Sequence, residues 1–394
     1  MIYVPRRIAL PTNGNFKRVP PRKPADRQAN YLDRFDFDTV FSDIFIHDGR
    51  VWMVGPPFLN LEQELRAATF RWNWTDITEE IQFENLNRMS RASFATDYET
   101  GVLEIESTLG SWRIDVETPS TKIFENSNLL ITQQQDNRLE WIAYWAFFNA
   151  QINGVDSLVI YDNNSELYSA ERLDQVLSRI PGIVNHMVVK WDTPYGAPGG
   201  PNSVWDSDFG QHISWEHCRR SFASQAQTVC VIDVDELPLT LSGEPLTTML
   251  LDSSAPAILF NRQPIRQFSN RESNVEKTRV HSCFSLGEKR GAWLASKFIY
   301  SPTRVPDDAQ LLVHEIRGLE QGPSPENEVL AGHFDGIRVR WRREEKQPVP
   351  LFGSKDEIVE PVEAVAPFDS AFDKLSAVWE DVYRELEVFF DHQS

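Results

Sequence analysis

Cysteine is scarce in this sequence. Only three of the 394 residues are cysteines, namely Cys218, Cys230 and Cys283. Their odd number and wide spacing argue against a disulfide framework and against a zinc site built from cysteine pairs. Cys230 lies inside an apolar run, where a thiol usually packs as a small hydrophobic group. The chain is long enough for two domains, or for one large domain with additions.

Long hydrophobic runs are also missing. No stretch approaches the roughly 18 apolar residues of a transmembrane helix. Residues 1–11 are too short and too interrupted by proline to form the apolar region of a secretory signal. These features predict a soluble, cytoplasmic protein without a transmembrane segment.

Positive charge is in short supply. Lysine and arginine number 39 against 58 aspartate and glutamate residues, which gives a formal net charge of −19. Nucleic-acid binding depends on cationic groups that neutralise phosphates, so this balance argues against a nucleic-acid partner. A small molecule that carries phosphate groups is still compatible with this net charge, because a metal ion held by carboxylates makes the local charge positive.

The pattern of residues divides the chain into four parts. Residues 1–30 are rich in proline, arginine and asparagine and predict an irregular or mobile arm. Residues 31–125 show short alternating runs with aromatics, which are typical of antiparallel strands and hairpins in a small β-rich domain. Residues 126–342 predict an α/β domain. Residues 343–394 predict an exposed linker and an amphipathic C-terminal helix that packs on the sheet or on a second subunit.

Aromatic residues are prominent in the β-rich part. For the tryptophans of this part, core packing is the favoured interpretation, and a surface that stacks on sugars is the alternative. The four residues concerned are Trp52, Trp72, Trp74 and Trp112.

In residues 126–342, strands alternate with helices, which indicates a mostly parallel sheet flanked by helices. One predicted strand, Ser157 to Tyr161, runs into Asp162 and Asn163. Polar residues at the end of a parallel strand are placed where such sheets bind nucleotides. The glycine- and proline-rich segment 191–210 predicts either a mobile lid over a ligand or a long surface connection.

The most informative stretch is residues 228–237, an apolar run that ends at Asp233, Asp235 and Glu236. It predicts a buried parallel strand that delivers acids to its carboxyl edge. In an extended segment, residues two apart point the same way, so both aspartates could face one divalent cation. The alternative is a strand that ends in acids capping the next helix.

Several short blocks lie in order within about residues 127–342, namely Asp136–Tyr144, Gly154–Ser165, Val231–Leu237, Lys297–Pro302, Val313-His314, and His333-Phe334 with Arg338 after it. Taken in order, these blocks resemble the signature blocks of GT-A glycosyltransferases of the family 2 and family 92 type. Two places depart from the pattern. Gln135-Asp136 stands where the group usually has Asn-Glu, and Arg262–Phe268 replaces a glycine-rich acceptor loop.

The resemblance implies a Rossmann-like GT-A fold, a nucleotide-sugar donor of the UDP type and a Mn²⁺ or Mg²⁺ ion. It further implies transfer of a hexose, with inversion at the anomeric carbon, to a saccharide or glycan acceptor, as in polysaccharide biosynthesis. The acceptor and the linkage stay open, as does a homo-oligomer formed through the C-terminal helix.

The candidate site residues fall into three groups. Asp233 and Asp235 would carry the metal directly or through water, and His314 or His333 could supply a further ligand, although a lone histidine is more often structural. An inverting transfer also needs a carboxylate base, for which the candidates are Glu272, Glu288 and Glu315. The donor-binding candidates are Thr132, Gln135, Arg138, Asp162, Asn163, Lys297 and Arg338.

Four of the donor-binding candidates have a structural alternative. Asp162 and Asn163 would bond the uracil or ribose, or would serve a turn or helix cap. Lys297 and Arg338 would contact the diphosphate, or would be solvated surface cations.

Two rival functions share some of these features. A phosphatase of the haloacid-dehalogenase type also has Asp-x-Asp after an apolar strand, but there the first Asp lies on an early strand and accepts the phosphoryl group. A non-catalytic carbohydrate-binding protein would use the aromatic β-rich domain and carry a degenerate α/β domain.

Overall fold

The computed structural model describes residues 1–119, 122–200, 202–267, 280–288, 293–319, 328–337, 339 and 362–390. Its fold is mixed α/β, with a large sheet flanked by helices, a β-rich amino-terminal region and a long C-terminal helix. Within these residues, no helix combines the length and the apolar character needed to span a lipid bilayer.

The amino-terminal region is built mainly from short strands. Its α-helices are α1 (Tyr31–Arg34) and α2 (Glu62–Arg66). Its strands are β1 (Ile2–Tyr3), β2 (Ile8–Ala9), β3 (Thr39–Phe41), β4 (Asp43–His47), β5 (Arg50–Gly55), β6 (Thr69–Trp72), β7 (Thr75–Asp76), β8 (Gln82–Leu86), β9 (Met89–Ala95), β10 (Thr100–Ser107) and β11 (Gly110–Glu117).

Two four-stranded antiparallel sheets form this region, with strand orders β4-β5-β9-β8 and β11-β10-β6-β7. The β4–β5 hairpin turns at Asp48 and Gly49, whose φ angles of 48° and 65° are those of a tight hairpin turn. Trp52 and Trp72 are buried, which confirms core packing for these two, whereas Trp74 is 67% exposed.

The α/β part begins with alternating strands and helices, as the sequence predicts. Its first strands are β12 (Asn128–Gln134), β13 (Ser157–Asp162), β14 (Asn185–Lys190), β15 (Thr228–Val231), β16 (Glu236–Thr240) and β17 (Ala257–Ile265). Its helices are α3 (Leu139–Asn153), α4 (Ala170–Leu177), α5 (Gly210–Ser221) and α6 (Leu246–Asp252).

The later elements complete the main sheet and cover one of its faces. They are β18 (Leu286–Glu288), β19 (Leu294–Tyr300), β20 (Gln310–Leu311), β21 (Ile316–Arg317), β22 (Val329–Phe334), β23 (Val362–Ala364) and the helix α7 (Ala366–Phe390). β20 and β21 form a separate two-stranded hairpin.

The main sheet has eleven strands, in the order β1-β14-β13-β12-β15-β19-β17-β18-β23, with β22 beside β17 and β16 beside β22. β1, β12 to β15, β17, β22 and β23 run one way, and β16, β18 and β19 run the other. β12 has β13 on one side and β15 on the other, so the direction of strand succession reverses at β12. Such a reversal opens a crevice at the carboxyl ends of the strands, where ligands bind in open α/β sheets.

Alternate residues of the central strands face the two sides of the sheet, as pleated geometry requires. On one face, Leu130, Leu158 and Cys230 pack with helices α3, α4 and α7. On the other, Ile131 and Val159 pack with helix α5 and part of the amino-terminal region. Both faces are therefore covered, and the carboxyl edge is the part of the central strands left for a ligand.

Both the amino-terminal segment and the C-terminal helix pack against the rest of the fold. The segment 1–30 has little regular structure, but β1 joins the edge of the main sheet and the Arg18 side chain is fully buried, donating to the carbonyls of Asp36 and Pro57. It is therefore held against the fold rather than detached. The C-terminal amphipathic helix is present as α7 and packs on α3 of the same chain.

Candidate functional site

A cavity of about 500 Å³ opens at the carboxyl edge of the sheet. Its volume is within the range of small-molecule sites in proteins. The wall combines charged, amide and aliphatic side chains, and it includes both aspartates of the Asp-x-Asp motif. The lining residues are Gln133, Asn137, Gln211, Asp233, Val234, Asp235, Arg262, Pro264, Arg266, Leu294, Val313, His314, His333, Asp335, Ile337 and Val339.

The Asp-x-Asp motif lies in a turn and not in an extended strand. β15 ends at Val231, and the Glu236 backbone N–H donates to the Asp233 carbonyl at 3.0 Å, which closes a turn before β16. The prediction that both carboxylates point the same way from an extended segment is therefore wrong. The turn sends Asp233 and Asp235 to different partners.

Asp233 is held by two neighbouring side chains. Lys297 donates from Nζ to Asp233 Oδ2 at 2.9 Å, and Gln211 donates from Nε2 to Oδ1 at 3.1 Å. The Lys297 side chain is 0% exposed and also lies 3.7 Å from Glu236 Oε2. The interpretation of Lys297 as a solvated surface cation is therefore wrong. Its ammonium group pairs with Asp233 and lies near Glu236, and a diphosphate contact by Lys297 stays a prediction.

Glu236 is the buried centre of this charge cluster. Its carboxylate pairs with Arg262 and accepts a hydrogen bond from the Asp233 backbone N–H at 2.9 Å. A buried carboxylate needs such compensation, because its transfer from water into protein is costly. Lys297 and Arg262 therefore fix the shape of the turn that presents Asp233 and Asp235 to the cavity.

Asp235 faces His333 across the cavity wall. His333 Nε2 lies 3.4 Å from Asp235 Oδ2, and the β16–β22 pairing places His333 directly opposite Glu236. One ligand atom from each of Asp235, Glu236 and His333 lies within 4.8 Å of the others. Carboxylate and imidazole groups suit Mn²⁺, and Mg²⁺ commonly uses one or two carboxylates plus substrate phosphates. The donor set therefore fits a divalent ion, with Asp235 and His333 as its cavity-facing ligands.

His314 belongs to the same cavity but not to this ligand group. Its Nδ1 lies 2.9 Å from the Ser296 carbonyl, so Nδ1–H is the donor. Desolvation at the cavity wall, followed by the positive charges of Lys297 and Arg262, lowers the pKa of His314 to about 4, although the side chain keeps an exposed surface. The imidazole is therefore neutral at neutral pH. Of the two predicted further ligands, His333 belongs to the described group that could hold an ion and His314 does not, and the metal role itself stays a prediction.

Asp162 and Asn163 lie at the end of β13, as predicted, but both side chains make hydrogen bonds to other residues of the chain. Asp162 Oδ1 accepts hydrogen bonds from Gln134 Nε2 at 2.6 Å and from the Ser165 hydroxyl. Asn163 Nδ2 donates to the carbonyls of Trp191 and Thr193 at 2.8 Å each. Turn chemistry therefore accounts for Asn163. Burial raises the pKa of Asp162 to about 6, with the Asp136 charge adding to the effect.

The remaining donor-site candidates lie near the first βα turn. The Thr132 hydroxyl is buried and has no hydrogen-bond partner among the described residues. Gln135 donates to the Asn164 carbonyl at 3.2 Å, and Arg138 Nη1 lies 3.1 Å from Glu140 Oε1. None of the three lines the cavity. Arg338 lies outside the described residues.

Of the three predicted carboxylate bases, the one whose side chain is described does not line the cavity. The Glu315 side chain is 48% exposed, lies 3.9 Å from Arg317, and is not on the cavity wall. Glu288 ends β18, but its side chain is outside the described part, as is Glu272 altogether.

The cavity is also lined by residues that the sequence analysis did not predict as part of the site. Asp335 follows His333 with the same two-residue spacing as the aspartate pair, and this was the signal that could have found it. Arg266 Nη1 lies 3.5 Å from Asp335 Oδ2. Gln133 and Gln211 come from β12 and the start of α5, so only the fold brings them together with the motif.

The segment 191–210 is packed at both ends. Trp191 is fully buried, Ala197 bridges to Ser207, and Arg22 donates to the Pro198 carbonyl at 2.8 Å. Trp205 is half exposed. None of the described residues of this segment lines the cavity. Its role as a lid stays a prediction.

No family model matches this chain, and no curated protein matches it either. The resemblance to GT-A glycosyltransferases therefore stays a prediction, and the function has to be argued from the cavity.

Proposed function

We propose that this protein is a metal-dependent glycosyltransferase that moves a hexose from a nucleotide sugar, with UDP-sugars as the first donors to test, to a saccharide acceptor. One observation carries the proposal. Asp233, Asp235 and His333 meet on the wall of one cavity at the carboxyl edge of the sheet, where its strand order reverses. The blocks that resemble the GT-A family 2 and 92 type lie in the same part of the chain.

The residues that would hold the ion are Asp235 and His333. Both face the cavity, and Glu236 lies behind them as a buried carboxylate already paired with Arg262. Two protein ligands leave coordination positions for the oxygens of a diphosphate. A bound divalent ion would supply positive charge to the leaving nucleoside diphosphate.

Other side chains can orient the donor. Arg266 lines the cavity, and a guanidinium group matches the geometry of phosphate oxygens. The Gln133 Nε2 group is buried on the cavity wall without a hydrogen-bond partner among the described residues. An unused buried donor is costly unless something accepts from it. A ligand oxygen would satisfy Gln133 Nε2.

The test is a panel of nucleotide sugars offered to the purified chain with saccharide acceptors, in Mn²⁺ and in EDTA. We expect one donor class to yield free nucleotide and a glycosylated acceptor only when the metal is present. The variant Asp235→Asn should lose this activity, while Asp252→Asn, a change of an exposed carboxylate outside the cavity, should keep it. The absence of turnover of every donor in Mn²⁺ would refute the proposal.

Phosphoryl transfer is a second candidate, because Lys297 lies 2.9 Å from the first aspartate of the motif. A lysine beside an aspartate nucleophile would keep it ionised and attract a phosphate. This candidate predicts hydrolysis of simple aryl phosphates without any nucleotide sugar, and its loss in Asp233→Asn. If the chain does not hydrolyse aryl phosphates, phosphoryl transfer is excluded as the function.

The carbohydrate-binding alternative has weaker support. No tryptophan, tyrosine or phenylalanine is among the described residues that line the cavity, so that part of the wall offers no such ring for stacking on a sugar. Trp52 and Trp72 are buried in the amino-terminal region. The charged cavity fits a phosphate-bearing ligand better than a bare saccharide.

A further inference from the structure

His314 is fixed on the cavity wall by two hydrogen bonds to one residue of β19. Its Nδ1–H donates to the Ser296 carbonyl at 2.9 Å, and the Ser296 hydroxyl donates to the His314 carbonyl at 2.7 Å. This pairing sets both the ring orientation and the tautomer, because the proton on Nδ1 leaves the lone pair on Nε2. Among the described residues, Nε2 has no hydrogen-bond partner.

Desolvation at the cavity wall and then the surrounding charges lower the pKa of His314 and keep the ring neutral. Lys297 and Arg262 oppose a second proton, and His212 on α5 is a further titratable neighbour that is itself buried with a lowered pKa. Asp233 acts in the opposite direction but is the smaller influence. The resulting basicity is close to that of a carboxylate in water. An Nε2 lone pair of this kind can accept a proton at any pH near neutrality.

We propose that His314 Nε2 is the general base that takes the proton from the acceptor hydroxyl. This inference rests on the proposed glycosyltransferase function and adds a residue to it. It is an alternative to the carboxylate base that the sequence predicts. Glu315 does not line the cavity, and Asp335, which does, faces Arg266. Glu272 and the side chain of Glu288 lie outside the described residues, so they stay predictions.

The step balances with the groups named. The acceptor O–H bond breaks as its proton moves to Nε2, and the hydroxyl oxygen forms a bond to the anomeric carbon. The bond from that carbon to the diphosphate oxygen breaks, and its electron pair leaves with the nucleoside diphosphate. The imidazolium then releases its proton to water, which restores the neutral ring.

The experiment compares His314→Ala, His314→Gln and the control His186→Ala with the wild-type chain in the transfer assay. His186 lies on β14 and pairs with Asp174, away from the cavity lining. Each variant is also titrated with Mn²⁺, and His314→Ala is assayed with added imidazole. General-base catalysis contributes about 10²–10⁴-fold, so we expect a loss of at least about 100-fold in both His314 variants. Mn²⁺ affinity should change less than twofold, and imidazole should restore part of the activity of His314→Ala.

Three results would overturn the assignment. His314 variants within threefold of wild-type turnover would show that another group takes the proton. A tenfold or greater loss of Mn²⁺ affinity would make His314 a metal ligand instead. Loss of activity with no rescue by imidazole would indicate a structural role. If the wild-type chain transfers no sugar from any donor, the proposed function fails and this inference fails with it, whereas the other three results leave that function standing.

Discussion

At the scale of single residues, Lys297 explains the shape of the candidate site. Its fully buried ammonium group contacts Asp233 and Glu236, which lie on the turn between β15 and β16. Without it, two acids close in sequence would repel each other in a poorly solvated position. The lysine therefore stabilises the turn and sets where the Asp233 carboxylate lies.

Replacement of this cation tests its structural role. We expect Lys297→Met to lower the free energy of unfolding by about 3 kcal/mol, because it removes the cation paired with Asp233 and leaves the buried Glu236 carboxylate with Arg262 as its remaining described cation. The control Lys190→Met removes a lysine that is half exposed and 3.9 Å from Glu171, so its cost should stay below about 0.5 kcal/mol. Urea denaturation measures the change in the free energy of unfolding for both variants. A Lys297→Met loss of under 1 kcal/mol would contradict the role given to this cation.

The buried carboxyl of Asp162 predicts a pH-dependent stability. Its pKa is raised from 3.8 to about 6, mainly by burial, so the folded state binds this proton more tightly than the unfolded state does. Ionisation therefore costs stability progressively as the pH rises from about 4 through 6, and the full cost is present above pH 7. At about 1.4 kcal/mol per pKa unit, that cost is roughly 3 kcal/mol.

The neutral variant Asp162→Asn keeps an oxygen that accepts from Gln134 and the Ser165 hydroxyl. We expect it to be more stable than the wild-type chain at pH 7.5, by up to about 3 kcal/mol, and to lose that advantage near pH 4. Denaturant unfolding at several pH values measures the difference. The exposed Asp252→Asn serves as the control, and a difference for Asp162→Asn that does not vary with pH would contradict the interpretation.

At the scale of elements, local patterns predicted most of the framework. The apolar runs of β12, β13 and β15 and the spacing of apolar residues in α7 are properties of short segments, so the sequence was enough to find them. The turn at residues 232–235 was missed because it depends on Lys297, more than sixty residues later in the chain. Asp335 likewise comes near Arg266 only because β22 pairs with β17, and His314 meets Ser296 of β19 from the loop between β20 and β21. The edge of the sheet could be predicted, but the partners of each carboxylate could not.

The C-terminal helix provides a prediction at this scale. Trp379 packs its ring on Tyr144 and Phe147 of α3, with centroid distances of 4.8 and 5.4 Å. We expect Trp379→Ala to reduce the free energy of unfolding by about 3 kcal/mol or more, since it removes a large buried side chain. The adjacent Val378 is 47% exposed, so Val378→Ala should cost less than about 0.5 kcal/mol. Equal effects in thermal or urea unfolding would contradict the packing of α7 on α3.

At the scale of the whole molecule, the amino-terminal region is joined to the α/β part through helix α5. Arg91 of β9 pairs with Glu216, and Asp43 Oδ2 of β4 accepts a hydrogen bond from His217 Nε2 at 2.7 Å. The same helix begins beside the cavity, where Gln211 contacts Asp233. The β-rich region therefore supports the helix that positions one side of the candidate site.

The net charge of −19 bears on ligand binding by the whole chain. A nucleoside diphosphate is anionic, and the cavity wall carries Asp233, Asp235 and Asp335. Lys297 offsets Asp233 and Arg266 lies near Asp335, but Arg262 is already paired with Glu236, so the charge of these acids is only partly compensated. Binding of the diphosphate should therefore depend on a divalent cation, because the ion converts repulsion into attraction.

Calorimetric titration of the chain with UDP, in Mn²⁺ and in EDTA, tests this central claim most directly. The account predicts binding in Mn²⁺ that weakens at least tenfold in EDTA, and the same weakening in Asp235→Asn with Mn²⁺ present, while Asp252→Asn binds like the wild-type chain. Equal affinities in Mn²⁺ and EDTA, or an Asp235→Asn variant that binds UDP as tightly as the wild-type chain in Mn²⁺, would contradict it.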